Sequence, residues 1–333
     1  MDILLVLSFD YLFMIKKLLF PRRFFVASLL CGIFVIQAAL AGEVTLEDNS
    51  VLVAFDSDSG ALTRMEYKTS HWVVERRPEL GVSFRMFAPL PDRRWNPILG
   101  QKQHAVEVKK ISDNEVEIQW KDLVSEVGGV LPITFTANVT LNNGVLTFKS
   151  TLQNDSPLTV ETIEYPYFGD FSAPSRNSSL QASMMGHDEE LYPHFGNKRG
   201  YWGVFYPTKA FEAWDSLYCL LQAPDQGVYV QVGDSKLPYR LEYYFEQKPG
   251  VISGITQLVP QEDEIPGNDQ LFGKEDSSSN KNSMTPVHLE FRTCHFVFAP
   301  GHSTSQLTPI VVRCYNGDKH AGQDIYKQSR SNQ

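Results

Sequence analysis

The stretch Ile133 to Leu152, ITFTANVTLNNGVLTFKSTL, decides the fold class. Ile133, Phe135, Ala137 and Val139 alternate with Thr134, Thr136, Asn138 and Thr140. That two-residue period belongs to a strand with one apolar and one polar face. Asn142-Asn143-Gly144 supplies residues that tolerate positive φ, and Val145 to Leu152 follows as a second strand, so the stretch reads as a β-hairpin. The same grammar extends outward. Val51 to Phe55 and Ala61 to Tyr67 flank Asp56-Ser-Asp-Ser-Gly60, with Gly60 where the turn needs positive φ. Val106 to Ile111 and Val116 to Trp120 flank Ser112-Asp-Asn114. Strand character returns at Ser216 to Gln222, Gly227 to Val232, Tyr239 to Glu246, His288 to Phe298 and Leu307 to Tyr315. Pro166 to Arg199 reads as loop, and Pro260 to Pro286 as a polar insertion. Roughly fifteen strands exceed one open sheet, so the expectation is all-β, with two antiparallel sheets face to face.

Composition agrees with a folded core. Of 333 residues, 42% are hydrophobic and 21% charged, which excludes a disordered or collagen-like chain. Aromatic residues make up 12%, favouring β structure or sugar-facing surfaces. With 30 Lys plus Arg against 39 Asp plus Glu, the net charge of -9 argues against a nucleic-acid partner.

The first 41 residues read as an address. Lys16, Lys17, Arg22 and Arg23 form a basic region ahead of the apolar run Phe24 to Ile36, and Ala39-Leu40-Ala41 suits signal peptidase. The expectation is a cleavable signal peptide over residues 1–41, with Met14 a candidate start, and a secreted or periplasmic mature protein. Beyond it, Cys219, Cys294 and Cys314 form no CxxC spacing, so no structural zinc is expected; they read as one pair plus a free thiol or as unpaired core residues. Glu262, Asp263, Glu264 and Asp269 are oxygen donors of the kind calcium takes, at a spacing that matches no EF-hand loop. No Gly-rich phosphate loop, HExxH helix or GxSxG elbow appears, and no cofactor or metal is expected.

Four segments carry a family resemblance: VLVAFDSDSGALTRMEYKTSHW from Val51, ELGVSFRMFAPLPDRRWNPILGQKQ from Glu79, LQNDSPLTVETIEYPYFGD from Leu152, and HLEFRTCHFVFAPGHSTSQLTPIVVRCYNGDKHAGQDIYKQSR from His288. They resemble the amino-terminal galactose-mutarotase-like β-supersandwich of a secreted bacterial glycoside-hydrolase-like family. In that family the sandwich precedes a TIM-barrel catalytic domain. The resemblance implies a two-layer antiparallel β-supersandwich over residues 42–318. It also implies that residues 319–333 are a truncated linker or helix leading to a barrel this chain lacks. On that reading the chain is a non-catalytic, carbohydrate-associated domain that packs on a catalytic barrel and shapes its cleft, without catalysis of its own. A free-standing sugar epimerase or glycosidase using residues 187–202 is one alternative. A partner-binding scaffold is another.

Two regions hold candidate binding residues. The first, GHDEELYPHFGNKRGYWGVFYP from Gly186, is rich in aromatic and histidine side chains. There Tyr192, Tyr201 and Trp202 suit stacking on sugar faces, while His187, His194 and Arg199 suit hydrogen bonds to hydroxyls. Equally, Trp202, Phe205 and Tyr206 suit anchoring the loop to the core. The second is the loop Pro89 to Asn96, with Asp92, Arg93, Arg94 and Trp95. Two arginines beside an aromatic suit a carboxylate such as a uronic acid, or serve to pin the loop against the barrel. His295, in the apolar run CHFVF, reads as a hydrogen-bonded sheet histidine. The acidic run Asp188-Glu189-Glu190 reads as solvated loop charge.

Overall fold

In this computed structural model, residues 42–75, 82–171, 179–184, 186–192, 208–234, 236–248 and 288–331 are described. The Ile133 to Leu152 stretch forms β9 (Gly129–Asn142) and β10 (Val145–Asn154), with Asn142 opposite Val145 across a two-residue turn. Asn143 and Gly144 both take positive φ, as that turn demands. Along β9, buried residues alternate with half-buried ones from Ile133 to Thr140.

Four strands form one antiparallel sheet in chain order: β1 (Glu43–Glu47), β2 (Val51–Asp56), β3 (Leu62–Tyr67) and β4 (Trp72–Glu75). A second, larger sheet begins with β5 (Arg85–Phe87), β6 (Pro97–Leu99), β7 (Glu107–Ser112) and β8 (Glu115–Ser125). After β10 come β11 (Thr162–Phe171), β12 (Leu180–Met184), β13 (His187–Tyr192), β14 (Thr208–Glu212), β15 (Tyr218–Gln222) and β16 (Gln226–Val232). The last strands are β17 (Leu241–Lys248), β18 (His288–His295), β19 (Ser303–Gln306) and β20 (Ile310–Asn316), followed by helix α1 (Lys319–Ser331). The hydrogen-bonded path runs β13-β12-β15-β16-β20-β10-β9-β8-β6-β5-β11-β18-β17-β14, with β19 on β10 and β7 on β8.

A path that long has to curl. Ring contacts show that it folds back on itself. Tyr165 of β11 meets Phe135 of β9 at 5.4 Å and Phe148 of β10 at 5.9 Å, and Phe148 meets Phe168 of β11 at 5.6 Å. Along the ladder, β9 and β11 are separated by β8, β6 and β5, so these rings touch across an interlayer core. At the far ends of the path, Lys209 of β14 lies 3.4 Å from Glu189 of β13. The molecule is therefore all-β with two antiparallel layers. This is the two-layer antiparallel arrangement that the sequence led us to expect, with most of both layers supplied by one folded ladder.

The four-stranded sheet shares the same core through Leu46, Val53, Phe55, Met65 and Trp72. The Asp48 carboxylate clips it to the larger sheet by accepting the N–H groups of Ser50, Val51 and Gly144 at 2.8, 2.9 and 2.5 Å. Gly60, at φ +68°, sits under β8, where the Trp120 indole N–H donates to the Ser59 carbonyl at 2.8 Å. The segment Pro166 to Arg199 departs from its loop reading. It contributes the end of β11, then β12 and β13, joined near Gly186 at φ +86°. Pro166 fits inside β11 because the pairing with β18 shifts register between Glu164 and Tyr167, where a missing N–H costs no ladder bond. Helix α1 lays Ala321, Ile325 and Tyr326 on Tyr218, Leu220, Tyr229 and Tyr315, a small second cluster behind β15, β16 and β20. Cys219, Cys294 and Cys314 are all free and buried.

A Cβ on Gly60 would lie 2.6 Å from both Ile118 Cγ2 and Trp120 Cζ2. Gly60→Ala therefore combines left-handed strain with overpacking and should cost about 2–4 kcal/mol in urea denaturation. A loss below about 1 kcal/mol would show that the turn relaxes freely.

Candidate functional site

Strands β5, β11, β18 and β17 lie side by side and carry their core residues at alternate positions: Met86; Ile163, Tyr165 and Phe168; Phe291; Leu241, Tyr243 and Phe245. Residues of the other parity therefore share the opposite face. That face holds Arg85, Glu164, Tyr167, Tyr244, Glu246, Glu290 and Arg292, a set with far more charge than a β core tolerates unpaired.

Arg292 is the centre, only 1% exposed. Its Nη2 donates to Glu246 Oε2 at 2.6 Å, and its Nη1 lies 3.5 Å from Glu290 Oε2. Its Nε is 2.7 Å from Glu164 Oε2, close in distance but off the angle of a hydrogen bond. Arg85 donates to the other oxygen of Glu164 at 2.6 Å, and the Tyr167 hydroxyl donates to Glu290 at 2.7 Å. The Tyr244 and Tyr167 rings lie 4.2 and 5.2 Å from the guanidinium carbon. Burial works against the charge on Arg292, but Glu164, Tyr167, Glu246 and Glu290 outweigh it and hold its pKa well above the usual value. The three carboxylates are thus engaged by guanidinium groups. Sequence reading missed this network, although Glu290 and Arg292 alternating with Phe291 and Thr293 were its visible trace.

At the β5 end of the face lies the loop Pro89 to Asn96. Buried Asn96 anchors it by donating to the Ala88 carbonyl at 2.9 Å and accepting the N–H groups of Val127 and Gly128 at 3.0 Å. Asp92, Arg93, Arg94 and Trp95 are all exposed. Arg94 grips Glu161 with two hydrogen bonds, at 3.0 and 2.7 Å, and lies over Phe87, 5.7 Å from the ring centre. Trp95 packs against the same Phe87 ring at 5.7 Å. The arginine partner is thus a carboxylate of the chain itself.

The other candidate residues lie elsewhere. His187 is exposed on β13, at one end of the ladder. His194, Arg199, Tyr201 and Trp202, the side chain of Tyr192, and Glu262 to Asp269 fall outside the described residues. The acidic run Asp188-Glu189-Glu190 is a strand and not a loop, because its three residues lie in register opposite Ser183, Ala182 and Gln181 of β12. Burial works against the Asp188 carboxylate, yet Lys319 at 2.8 Å and Ser183 at 2.7 Å hold it below the usual carboxylate range, tying α1 to β13.

His295 is a satisfied sheet histidine. Its Nε2 donates to the Tyr165 carbonyl at 2.9 Å, which leaves Nδ1 to accept from the Tyr239 hydroxyl at 3.0 Å. Tyr239 in turn accepts the Thr308 N–H at 2.7 Å. Burial pushes the imidazole down to about 4.

No protein-family model matches the chain, and no curated protein matches it significantly. Among solved structures it is similar to a galactose mutarotase-like protein from Lactobacillus casei, at 11% identity and TM-score 0.42, over 83% of this chain and 100% of that one. It is similar also to a glycosyl hydrolase family 38 protein from Enterococcus faecalis, at 10% identity and TM-score 0.45, over 86% of this chain and 32% of that one. An α-galactosidase from Lactobacillus brevis matches at 8% identity and TM-score 0.43, over 84% of this chain and 40% of that one. The two hydrolases are thus more than twice as long as the part this chain spans.

Two measurements probe the polar chemistry. Arg292→Met removes the cation shared by Glu164, Glu246 and Glu290 and should cost about 3–5 kcal/mol in chemical denaturation. Native-like stability would mean that the network relaxes without its centre. For His295 the unfolded chain takes up a proton below pH 6.5 that the fold refuses until about pH 4. Stability is therefore untouched above pH 6.5 and falls as pH drops towards 4, by about 3 kcal/mol in all. His295→Gln should remove that part of the slope in denaturation curves at pH 7 and pH 4.5. Equal losses in both proteins would refute the neutral assignment.

Proposed function

We propose that this chain is a carbohydrate-associated sandwich domain, exported through the leader ending at Ala41, that works beside a catalytic barrel and performs no catalysis itself. The carrying observation is the Arg292 network. Proton-transfer chemistry on a sugar requires a carboxylate or histidine free to exchange its proton with the substrate. Among the described residues of the polar face, Glu164, Glu246 and Glu290 are engaged by Arg85 and Arg292. The buried histidine nearest to them in sequence, His295, belongs to the opposite parity of β18 and is spent on Tyr165 and Tyr239. Hydrolysis likewise requires two carboxyl groups facing each other across a glycosidic bond, one of them protonated, and this face offers ion-paired ones instead.

A second feature supports work beside a partner. At the tip of the β8–β9 hairpin Val124 faces Val130 across the strands, and both are exposed together with Val127. Outward valines at three positions of one hairpin tip are the composition of a contact surface. They adjoin the Pro89 to Asn96 loop through the Asn96 hydrogen bonds to Val127 and Gly128. A partner docked on the tip would find the Trp95 loop at its rim.

Polarimetry separates this reading from the epimerase alternative. The purified chain should leave the mutarotation of α-D-glucose and α-D-galactose at the uncatalysed rate, while retaining affinity for polysaccharide in gel electrophoresis. Catalysed mutarotation that disappears in His194→Ala would overturn it.

A further inference from the structure

Glu161 organises three aromatic residues at the end of the polar face. Its N–H donates to the Phe87 carbonyl at 2.8 Å, its carbonyl accepts the Phe298 N–H at 3.1 Å, and its carboxylate takes both hydrogen bonds from Arg94, the neighbour of Trp95. Trp95 is 62% exposed and Phe298 58%. Lone exposed apolar residues are ordinary, but two large aromatic rings exposed on segments tied to one residue are grouped as a patch, and patches are what mark interaction sites.

Phe298 is also held in an unusual conformation. Its φ is +44°, a left-handed value that a bulky side chain rarely adopts. The flanking bridge, in which Val160 and Ala299 exchange backbone hydrogen bonds at 2.8 Å, keeps it there. A chain free to relax would choose glycine at such a point. Here the backbone instead turns an aromatic ring outward beside Glu161.

We propose that Trp95 and Phe298 are the stacking walls of a glycan subsite, with the Arg94–Glu161 fork between them as its polar floor, and that its ligand is an uncharged pyranose oligosaccharide. The inference rests on the carbohydrate-associated reading above and deepens it. Pyranose rings present C–H faces that stack on aromatic side chains, while their paired hydroxyls match a planar fork holding donors and acceptors together. The charge balance selects the class. Arg94 is neutralised by Glu161, and Arg93 stands beside Asp92, so the loop offers no net positive field to a uronate. That revises the carboxylate partner which the two adjacent arginines alone suggested. Phe87, beneath Trp95 and Arg94, sets the ring and the guanidinium at their angles.

The test is calorimetric titration of the intact chain with hexasaccharides of β-1,4-glucose, β-1,4-mannose, β-1,4-xylose and α-1,4-galacturonate, chosen after a glycan-array screen. Affinity for at least one neutral oligomer is expected, falling roughly tenfold in Trp95→Ala. Phe298→Gly should weaken the same binding severalfold while thermal stability holds or rises, because glycine accepts the left-handed backbone. A merely structural Phe298 would lose stability and keep the ligand. Unchanged affinity in Trp95→Ala overturns the subsite and leaves the carbohydrate-associated reading standing. Binding confined to galacturonate overturns the uncharged class, and a wild-type chain silent across the array overturns both readings.

Discussion

Tyr165 is where the two layers meet. Its ring lies among Trp120, Phe135 and Phe148, which belong to three strands on the opposite side of the fold in the ladder. Its carbonyl accepts from Thr293 and His295 of the neighbouring strand. Burial pushes its hydroxyl far above the ordinary tyrosine value, so it stays neutral, as a group in an apolar interior must. A ladder of this length is stable as a curled sheet only if its inner face fills with side chains. The aromatic set Phe84, Trp120, Phe135, Phe148, Phe168 and Phe291 does that filling, at ring separations of 5.0 to 5.7 Å between neighbours.

Filling one face with rings dictates the chemistry of the other. Because the period of a strand is two, Arg85, Glu164, Tyr167, Glu290 and Arg292 are forced to a common side once Met86, Tyr165, Phe168 and Phe291 face the core. Five ionisable side chains crowded on adjacent strands have to neutralise one another, and the Arg292 network is that solution. Replacing one partner alone leaves an uncompensated buried charge, which is why such a network resists piecemeal change.

The legible parts of the sequence were the local ones. Asn143-Gly144 and Gly60 announced their turns because the left-handed backbone they allow is a property of the residue and its neighbours. The alternation along β9 did the same for burial. What stayed hidden was set by partners far along the chain: Tyr167 and Glu290 are 123 residues apart, and the Tyr239 to His295 bond spans 56. The strands β12 and β13 were masked by polar residues such as Gln181, Asp188 and Glu190, whose strand conformation comes from pairing with β15 and each other. Arg93 and Arg94 stood out as a pair suited to a carboxylate, but the partner that Arg94 takes, Glu161, lies 67 residues on, where adjacency in the sequence gives no hint of it.

That last pairing shows how the fold disposes of its charges. The sheet face spends its charges internally, and the loop at its end does likewise through Arg94 and Glu161. A surface whose ion pairs are closed adds little local field of its own, and the net charge of -9 repels anionic ligands. In the proposed subsite, selectivity would therefore rest on shape, on stacking and on hydrogen bonds at short range. Those are the interactions that a backbone hub such as Glu161 can orient, since it fixes Phe87, Phe298 and Arg94 through separate atoms of one residue.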